Sequence, residues 1–293
     1  MAEKAPQHSE GHQARKRFGQ NFLHDPHVID QIVNSIAPHA DDTMVEIGPG
    51  LGALTEQILP NVNQLQIIEL DRDLIPRLMA KFCSTFDVTI KASTQTTAEP
   101  SSVPTAHRKN KLNIHQADAL NFEYICLLDS PEKKLRIVGN LPYNISTPLI
   151  FKLLENTAII QDMHFMLQKE VVDRLSANVG DKAYGRLSIM VQYHCQVDGL
   201  FVVGPGAFNP PPKVDSAIVR LTPHIQKPAI ATNPKLMGKI VTAAFNMRRK
   251  TIRNGLRDIA TVEQIESVGI NPGQRPETIP LPQWVALSNL ISS

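Results

Sequence analysis

The sequence has few cysteines, few aromatic residues and no long hydrophobic run. Its three cysteines, Cys83, Cys126 and Cys195, are far apart and form no C-x-x-C pair, which argues against a disulfide framework and a zinc ribbon. No stretch approaches the roughly 18 consecutive apolar residues of a membrane span, and the N-terminal sequence lacks the apolar centre of a signal peptide. We therefore expect a cytoplasmic protein that does not cross a membrane.

Motifs for hydrolytic and metal chemistry are also missing. The 293 residues contain no H-E-x-x-H and nothing that resembles a Ser-His-Asp arrangement, and the ten histidines are scattered. The sequence therefore predicts no metal site. Its 42% hydrophobic and 20% charged residues are ordinary for a soluble enzyme of one large α/β domain or two domains.

Acidic residues are scarce in one long stretch of the chain. Between residues 205 and 257, ten Lys and Arg residues stand against one acid, Asp215, and shorter basic runs occupy residues 15–17 and 107–111. Such clusters neutralise phosphates, so they favour an RNA or DNA partner over the alternative of a merely solvated face. The candidate RNA-binding residues are Arg15, Lys16, Arg17, Lys213, Arg248, Arg249, Lys250 and Arg253.

Apolar runs alternate with helical stretches, which is typical of a mostly parallel sheet in an α/β fold. The predicted parallel strands are Thr43–Gly48, Gln64–Leu70, Leu112–Gln116, Leu135–Asn140 and Asp162–Gln168. Two later strands, Val197–Val203 and Ser216–Thr222, leave no room for a helix between them and are expected to pair antiparallel at a sheet edge.

Changes in composition suggest the domain boundaries. Residues 1–14 read as an extra N-terminal segment, and residues 15–223 as the α/β domain. Within that domain, residues from about 92 to 111 are rich in Ser, Thr, Ala and Pro and predict a flexible surface insertion. Residues 224–293 predict a small, helical, basic C-terminal domain.

A glycine-rich loop follows the first predicted strand. Gly48 and Gly50 lie in E-I-G-P-G-L-G, where glycines let the backbone approach a ligand, and Glu69 follows at the end of the next strand. Glu69 there can accept hydrogen bonds from two ribose hydroxyls. The loop also satisfies a dinucleotide fingerprint, so an NAD oxidoreductase is an alternative, although no hydride-transfer residues are evident.

Polar residues end two further predicted strands. Asp118 ends the third, where it can accept a hydrogen bond from an adenine amino group or, alternatively, cap the following turn. The fourth ends in Asn140-Leu141-Pro142-Tyr143. Pro142 favours an extended Leu141, whose carbonyl can join the Asn140 amide oxygen as a second acceptor for a nucleobase amine, while Tyr143 stacks on the base. These groups predict transfer of a methyl group from a sulfonium.

A second aromatic residue, Phe208, opens F-N-P-P-P-K-V-D-S. The prolines favour an extended loop, which is expected to hold Phe208 over the cleft against the other face of the base. The alternative is a Pro-rich hairpin in which Phe208 is a core residue.

Together these motifs resemble the KsgA/RsmA family of small-subunit ribosomal RNA adenine N6,N6-dimethyltransferases. The resemblance rests on Q-N-F-L, E-I-G-P-G-L-G-A-L-T, I-E-L-D, Q-A-D-A, N-L-P-Y, the Phe208 loop and N-M-R-R-K-T-I-R-N-G-L, and it covers nearly everything from about Arg15 onward. It implies a class I, Rossmann-like S-adenosylmethionine-dependent methyltransferase. Its implied substrate is two adjacent adenosines near the 3′ end of 16S rRNA in an immature 30S subunit.

The resemblance also assigns roles to individual residues. It implies that Asn21 and Leu23 close over the cofactor, Gly48 contacts its methionine part, Glu69 its ribose and Asp118 its adenine. It further implies that Asn140 contacts cofactor and substrate, that Tyr143 and Phe208 sandwich the target adenine, and that no strong general base takes part. Two alternatives remain open: an Erm-type enzyme acting on large-subunit rRNA, and an assembly factor whose binding role outweighs catalysis.

Overall fold

A computed structural model describes residues 21–91, 110–247 and 250–292. The strands are β1 (Phe22–Leu23), β2 (Thr43–Ile47), β3 (Gln64–Glu69), β4 (Asp87–Lys91), β5 (Lys111–Gln116), β6 (Leu135–Asn140), β7 (Ile160–Gln168), β8 (Cys195–Val203), β9 (Phe208–Asn209) and β10 (Ser216–Pro223). The α-helices are α1 (Pro26–Ile36), α2 (Ala53–Ile58), α3 (Ile75–Phe82), α4 (Ser146–Leu154), α5 (Lys169–Leu175), α6 (Arg186–His194), α7 (Pro234–Asn246), α8 (Ile252–Gly255), α9 (Val262–Ser267) and α10 (Leu281–Ser292). The N-terminal segment 1–14, residues 92–109 of the insertion, Arg15, Lys16, Arg17, Arg248 and Arg249 lie outside the described residues.

Eight strands form one sheet in the order β4-β5-β3-β2-β6-β7-β10-β8. The strands from β4 to β7 run parallel, whereas β10 pairs antiparallel with both β7 and β8. This arrangement confirms the predicted α/β class and the antiparallel pair at one edge. The chain runs from β2 outward through β3 and β5 and then returns to β6 on the other side of β2, which opens a crevice at the carboxyl ends of β2 and β6.

The edge strand β4 was not predicted from the sequence. Its residues Asp87–Lys91 pair in parallel with β5, and most of its side chains are exposed. A strand that buries so little lacks the apolar run that marks the central strands. β5 begins at Lys111, at the end of the predicted insertion of about residues 92–111.

A separate two-stranded sheet joins β1 to β9, which the sequence analysis did not predict. Leu23 lies opposite Phe208 in this pairing, and the His24 N–H donates a hydrogen bond to the Ala207 carbonyl at 2.9 Å. The pairing therefore ties the segment before α1 to the Pro-rich loop before β10. Both segments lie near the carboxyl ends of the central strands.

The C-terminal residues form a helical layer with its own apolar core, as predicted. Trp284 is fully buried there, and its indole N–H donates to the Ile279 carbonyl at 3.1 Å. Helix α6 contributes Ile189 and Tyr193 to the same core, while its Val191 packs into the core beside the sheet. The C-terminal helices are thus anchored through α6. Within the described ranges, no helix combines the length and apolar character needed to cross a membrane.

Candidate active site

The carboxyl ends of β2, β3, β5 and β6 line a pocket. Of the residues that the sequence analysis placed in the catalytic and cofactor sites, all but Phe208 line it. They are Asn21, Leu23, Gly48, Gly50, Glu69, Asp118, Asn140, Leu141, Pro142 and Tyr143. Five separate motifs therefore converge at one end of the sheet.

The glycine-rich loop forms the floor between β2 and α2. Gly50 has a φ of 59°, which side chains disfavour, and an added Cβ would lie 3.1 Å from the ring of Phe22 in β1. The Gly48 N–H donates to the Ile68 carbonyl of β3 at 2.9 Å. These contacts hold the loop close to the neighbouring strand and leave room for β1 to pack across it.

Glu69 is nearly buried at the end of β3. Its carboxylate accepts a hydrogen bond from the Asp71 N–H at 2.7 Å and further bonds from the backbone N–H groups of Gly50 and Leu70. Burial nevertheless raises the pKa of the Glu69 carboxyl to about 7. The carboxylate thus links the glycine-rich loop to β3 and can still accept hydrogen bonds on its pocket side.

A second buried acid, Glu46, lies in the pocket wall and was not predicted as a site residue. Its Oε2 accepts a hydrogen bond from Thr55 Oγ1 at 2.6 Å. Burial, with a smaller contribution from nearby Glu69, raises the pKa of Glu46 to about 7. The available signal was an acid inside an otherwise apolar strand, directly before the glycine-rich loop. Leu70, which is half exposed at the pocket mouth, was also missed.

Asp118 caps the turn after β5, which is one of the two roles expected for it from the sequence. Its Oδ1 accepts from the Leu120 N–H at 2.9 Å, and its Oδ2 accepts from Asn121 Nδ2 at 2.8 Å. The residue also lines the pocket, so the contact with an adenine amino group stays a prediction.

Asn140, the last residue of β6, bonds to the N-terminal segment. Its Nδ2 donates to the Asn21 carbonyl at 3.0 Å. This bond uses the nitrogen of the amide and leaves its oxygen as the acceptor at this position. Leu141 is buried, and its N–H donates to the Met166 carbonyl of β7 at 3.2 Å, which fixes the turn beyond Asn140.

Tyr143 lies in the same turn, with its ring partly exposed in the pocket. Its hydroxyl lies 2.9 Å from Ser216 Oγ at the start of β10, and Ser216 is fully buried. The Tyr143 ring is thereby held from its far end. Sequence reasoning missed Ser216 because the two residues are 73 positions apart.

Phe208 does not lie over the cleft. It is 3% exposed and packs in the apolar core with Leu23 and Ile29. This is the alternative expectation for Phe208, that of a core residue. The pairing of β1 with β9 aligns its side chain with that core. Contact between Phe208 and a nucleobase would require this packing to open.

The basic candidates that the structure describes are on the surface. Lys213, Lys250 and Arg253 are all exposed, which fits both phosphate binding and a solvated face.

Replacing Gly139 with alanine is expected to distort the pocket from below. Gly139 precedes Asn140, and an added Cβ would lie 2.6 Å from the Ile47 carbonyl oxygen in β2. Backbone atoms in a central strand cannot turn aside as a side chain can, so we expect a loss of about 1–3 kcal/mol in the free energy of unfolding. Urea denaturation measures it. The control Gly204→Ala adds a Cβ that meets nothing within 4 Å, and equal losses in both variants would contradict the expectation.

Comparison with known proteins assigns the family. The sequence profile of the ribosomal RNA adenine dimethylases matches residues 11–293. The chain belongs to this family. It is 54% identical over 282 residues to ribosomal RNA small subunit methyltransferase A of Marinobacter nauticus, covering 96% of this chain and 93% of the relative. It is 53% identical over 281 residues to the protein of that name in Pseudomonas aeruginosa, covering 96% of each chain.

Solved structures agree with this assignment. A dimethyladenosine transferase from Plasmodium falciparum is 25% identical, with a TM-score of 0.68 and coverage of 90% of this chain and 95% of the other. The 23S rRNA methyltransferase ErmE, at 23% identity and a TM-score of 0.66, covers 93% of this chain and 100% of its own, and shows the fold alone. The KsgA/RsmA resemblance and the class I methyltransferase fold are confirmed. Membership of the dimethylase family decides against the NAD oxidoreductase.

Proposed function

We propose that this ribosomal RNA adenine dimethylase converts two adjacent adenosines in the 3′-terminal hairpin of 16S rRNA to N6,N6-dimethyladenosine. Its substrate is the immature 30S subunit, late in assembly in the cytoplasm. The observation that carries the proposal is the Asn140 amide, held by Asn21 at the pocket edge with its oxygen as acceptor, beside the ring of Tyr143. The names of the half-identical relatives support the small subunit as the substrate particle.

The pocket residues fit S-adenosylmethionine. An added Cβ at Gly48 would meet nothing within 4 Å, so the backbone there faces open space. A ligand can therefore approach the Gly48 backbone closely. Glu69 supplies a carboxylate for the ribose hydroxyls, Asp118 an acceptor for the adenine amine, and Leu70 an apolar surface at the mouth. When bound, the cofactor supplies a methyl group made electrophilic by its sulfonium.

The chain's own groups prepare the target amine. The Asn140 amide oxygen and the Leu141 carbonyl accept its two hydrogens, which turns the nitrogen lone pair out of conjugation and toward the methyl group. Tyr143 stacks on the base and holds its plane. The Tyr143 hydroxyl lies against Ser216 and the Glu46 carboxylate accepts from Thr55, and the proposal assigns neither group the role of a base. The amine loses its proton to solvent after transfer.

We expect S-adenosylhomocysteine to bind more tightly as the pH rises. Burial raises the pKa of Glu69 to about 7, so below that pH the carboxyl is largely protonated and a poorer acceptor for ribose hydroxyls. Binding favours the ionised form, so affinity should rise by up to about tenfold per pH unit below 7 and level off above it. Calorimetry between pH 6 and 9 measures this slope. Glu69→Gln should flatten it, and a wild-type affinity that falls with pH would contradict the assignment.

The basic stretch between residues 205 and 257 is the proposed contact with rRNA phosphates. Lys213, Lys250 and Arg253 are exposed along it. We propose the same phosphate contacts for five further basic residues of the sequence: Arg248, Arg249, Arg15, Lys16 and Arg17.

Labelled methyl transfer tests the substrate particle. Small and large ribosomal subunits that lack adenine dimethylation are incubated separately with the enzyme and labelled S-adenosylmethionine. We expect label in small subunits alone. Label confined to large subunits would move the protein to the Erm-type activity instead.

A further inference from the structure

A buried hydroxyl holds the ring of Tyr143, the aromatic residue proposed to stack on the target base. Ser216 Oγ and Tyr143 Oη lie 2.9 Å apart, and Ser216 is 0% exposed. The bond joins the turn after β6 to the first residue of β10.

Ser216 is a rigid anchor because strands flank it on both sides. It pairs with Gln168 of β7 and with Val203 of β8, and the neighbouring Lys169 N–H donates to the Asp215 carbonyl at 2.9 Å. Tyr143, in contrast, lies in a turn with a partly exposed side chain. The hydroxyl bond therefore restricts the ring of Tyr143 rather than the position of Ser216.

We infer that Ser216 is a positioning residue for methyl transfer, that it holds the plane of the Tyr143 ring, and that this matters most for the second methyl group. The inference rests on the proposed adenine dimethylation. In each transfer the S–CH3 bond breaks and an N–CH3 bond forms, releasing S-adenosylhomocysteine and one proton.

The two transfers make unequal demands on stacking. Unmethylated adenine offers two N–H hydrogens to the two acceptors, Asn140 Oδ1 and the Leu141 carbonyl. N6-methyladenine offers only one, so hydrogen bonds orient the amine less and the stacked ring must orient it more. Loosening the ring is therefore expected to slow the second transfer more than the first.

A double-mutant cycle tests the link. Single-turnover methylation of unmodified small subunits is followed for wild type, Ser216→Ala, Tyr143→Phe and the double variant, with separate quantification of N6-methyladenosine and N6,N6-dimethyladenosine. We expect each single variant to slow the second transfer roughly 10-fold and the first only about 2-fold, so that N6-methyladenosine accumulates. The double variant should be no slower than either single one, because both changes remove the same bond. Affinity for S-adenosylhomocysteine should not change.

Controls separate positioning from folding. Ser288→Ala removes the hydroxyl of another fully buried serine, in α10, and should leave both transfer rates unchanged. Thermal unfolding reports on the fold of each variant. If Ser216→Ala does not fold, Tyr143→Phe, which alters a partly exposed side chain, still tests the product ratio.

Two results would overturn the inference while leaving the proposed function intact: additive losses in the double variant, or single variants that form dimethyladenosine at the wild-type rate. A wild-type enzyme that forms no dimethyladenosine on small subunits would instead overturn the proposed function.

Discussion

Asn140→Ala should reduce methyl transfer by roughly 100- to 1000-fold, the effect of removing one well-placed polar group from a reacting centre. The amide oxygen of Asn140 is one of the two acceptors that orient the target amine. Its Nδ2 also donates to the Asn21 carbonyl, so the variant loosens the N-terminal segment as well. We therefore expect a smaller weakening of S-adenosylhomocysteine binding, by less than about tenfold.

Single-turnover transfer to unmodified small subunits measures the first effect, and calorimetry the second. Asn156→Ala is the matched control, because its amide similarly donates to a backbone carbonyl, that of Lys152, away from the pocket. A transfer rate for Asn140→Ala within threefold of wild type would contradict the proposed role of Asn140 in orienting the target amine.

Glu69→Ala should weaken S-adenosylhomocysteine binding about 100-fold or more, since two hydrogen bonds to a charged acceptor are lost. The same change leaves the Asp71 and Gly50 N–H groups without their carboxylate partner, so the glycine-rich loop keeps only its backbone bond from Gly48 to Ile68 of β3. Calorimetry at pH 8 measures the affinity, and exposed Glu155→Ala is the control. Unchanged affinity in Glu69→Ala would contradict the assigned cofactor site.

This variant also separates catalysis from assembly. A protein that acts only by binding immature subunits should still associate with them and support their maturation when Glu69 is alanine. An enzyme should lose modification whether or not it still binds. Sedimentation of the variant with immature subunits, together with nucleoside analysis of the same particles, distinguishes the two.

Central strands and their polar ends were predictable because burial and ligand contact leave local patterns. β2, β3, β5 and β6 carry apolar runs; Glu69 and Asn140 end β3 and β6, and Asp118 follows two residues after β5. Since parallel strands share one carboxyl edge, a common pocket followed.

Contacts between distant segments were not predictable. The pairing of Leu23 with Phe208 involves two strands of two residues each, too short for any periodicity, and it decides that Phe208 is buried. The bond from Tyr143 to Ser216 depends on how β10 sits beside β7. The raised pKa of Glu46 depends on its burial next to Glu69.

Product analysis at the modified site is the decisive test of the proposed adenine dimethylation. Small subunits lacking the modification are treated with the enzyme and S-adenosylmethionine, and the 3′-terminal fragment of their 16S rRNA is analysed by mass spectrometry. We expect two adjacent adenosines in the terminal hairpin, each carrying two methyl groups on N6. Methyl groups elsewhere in the RNA, or on a ring nitrogen or a ribose, would contradict it.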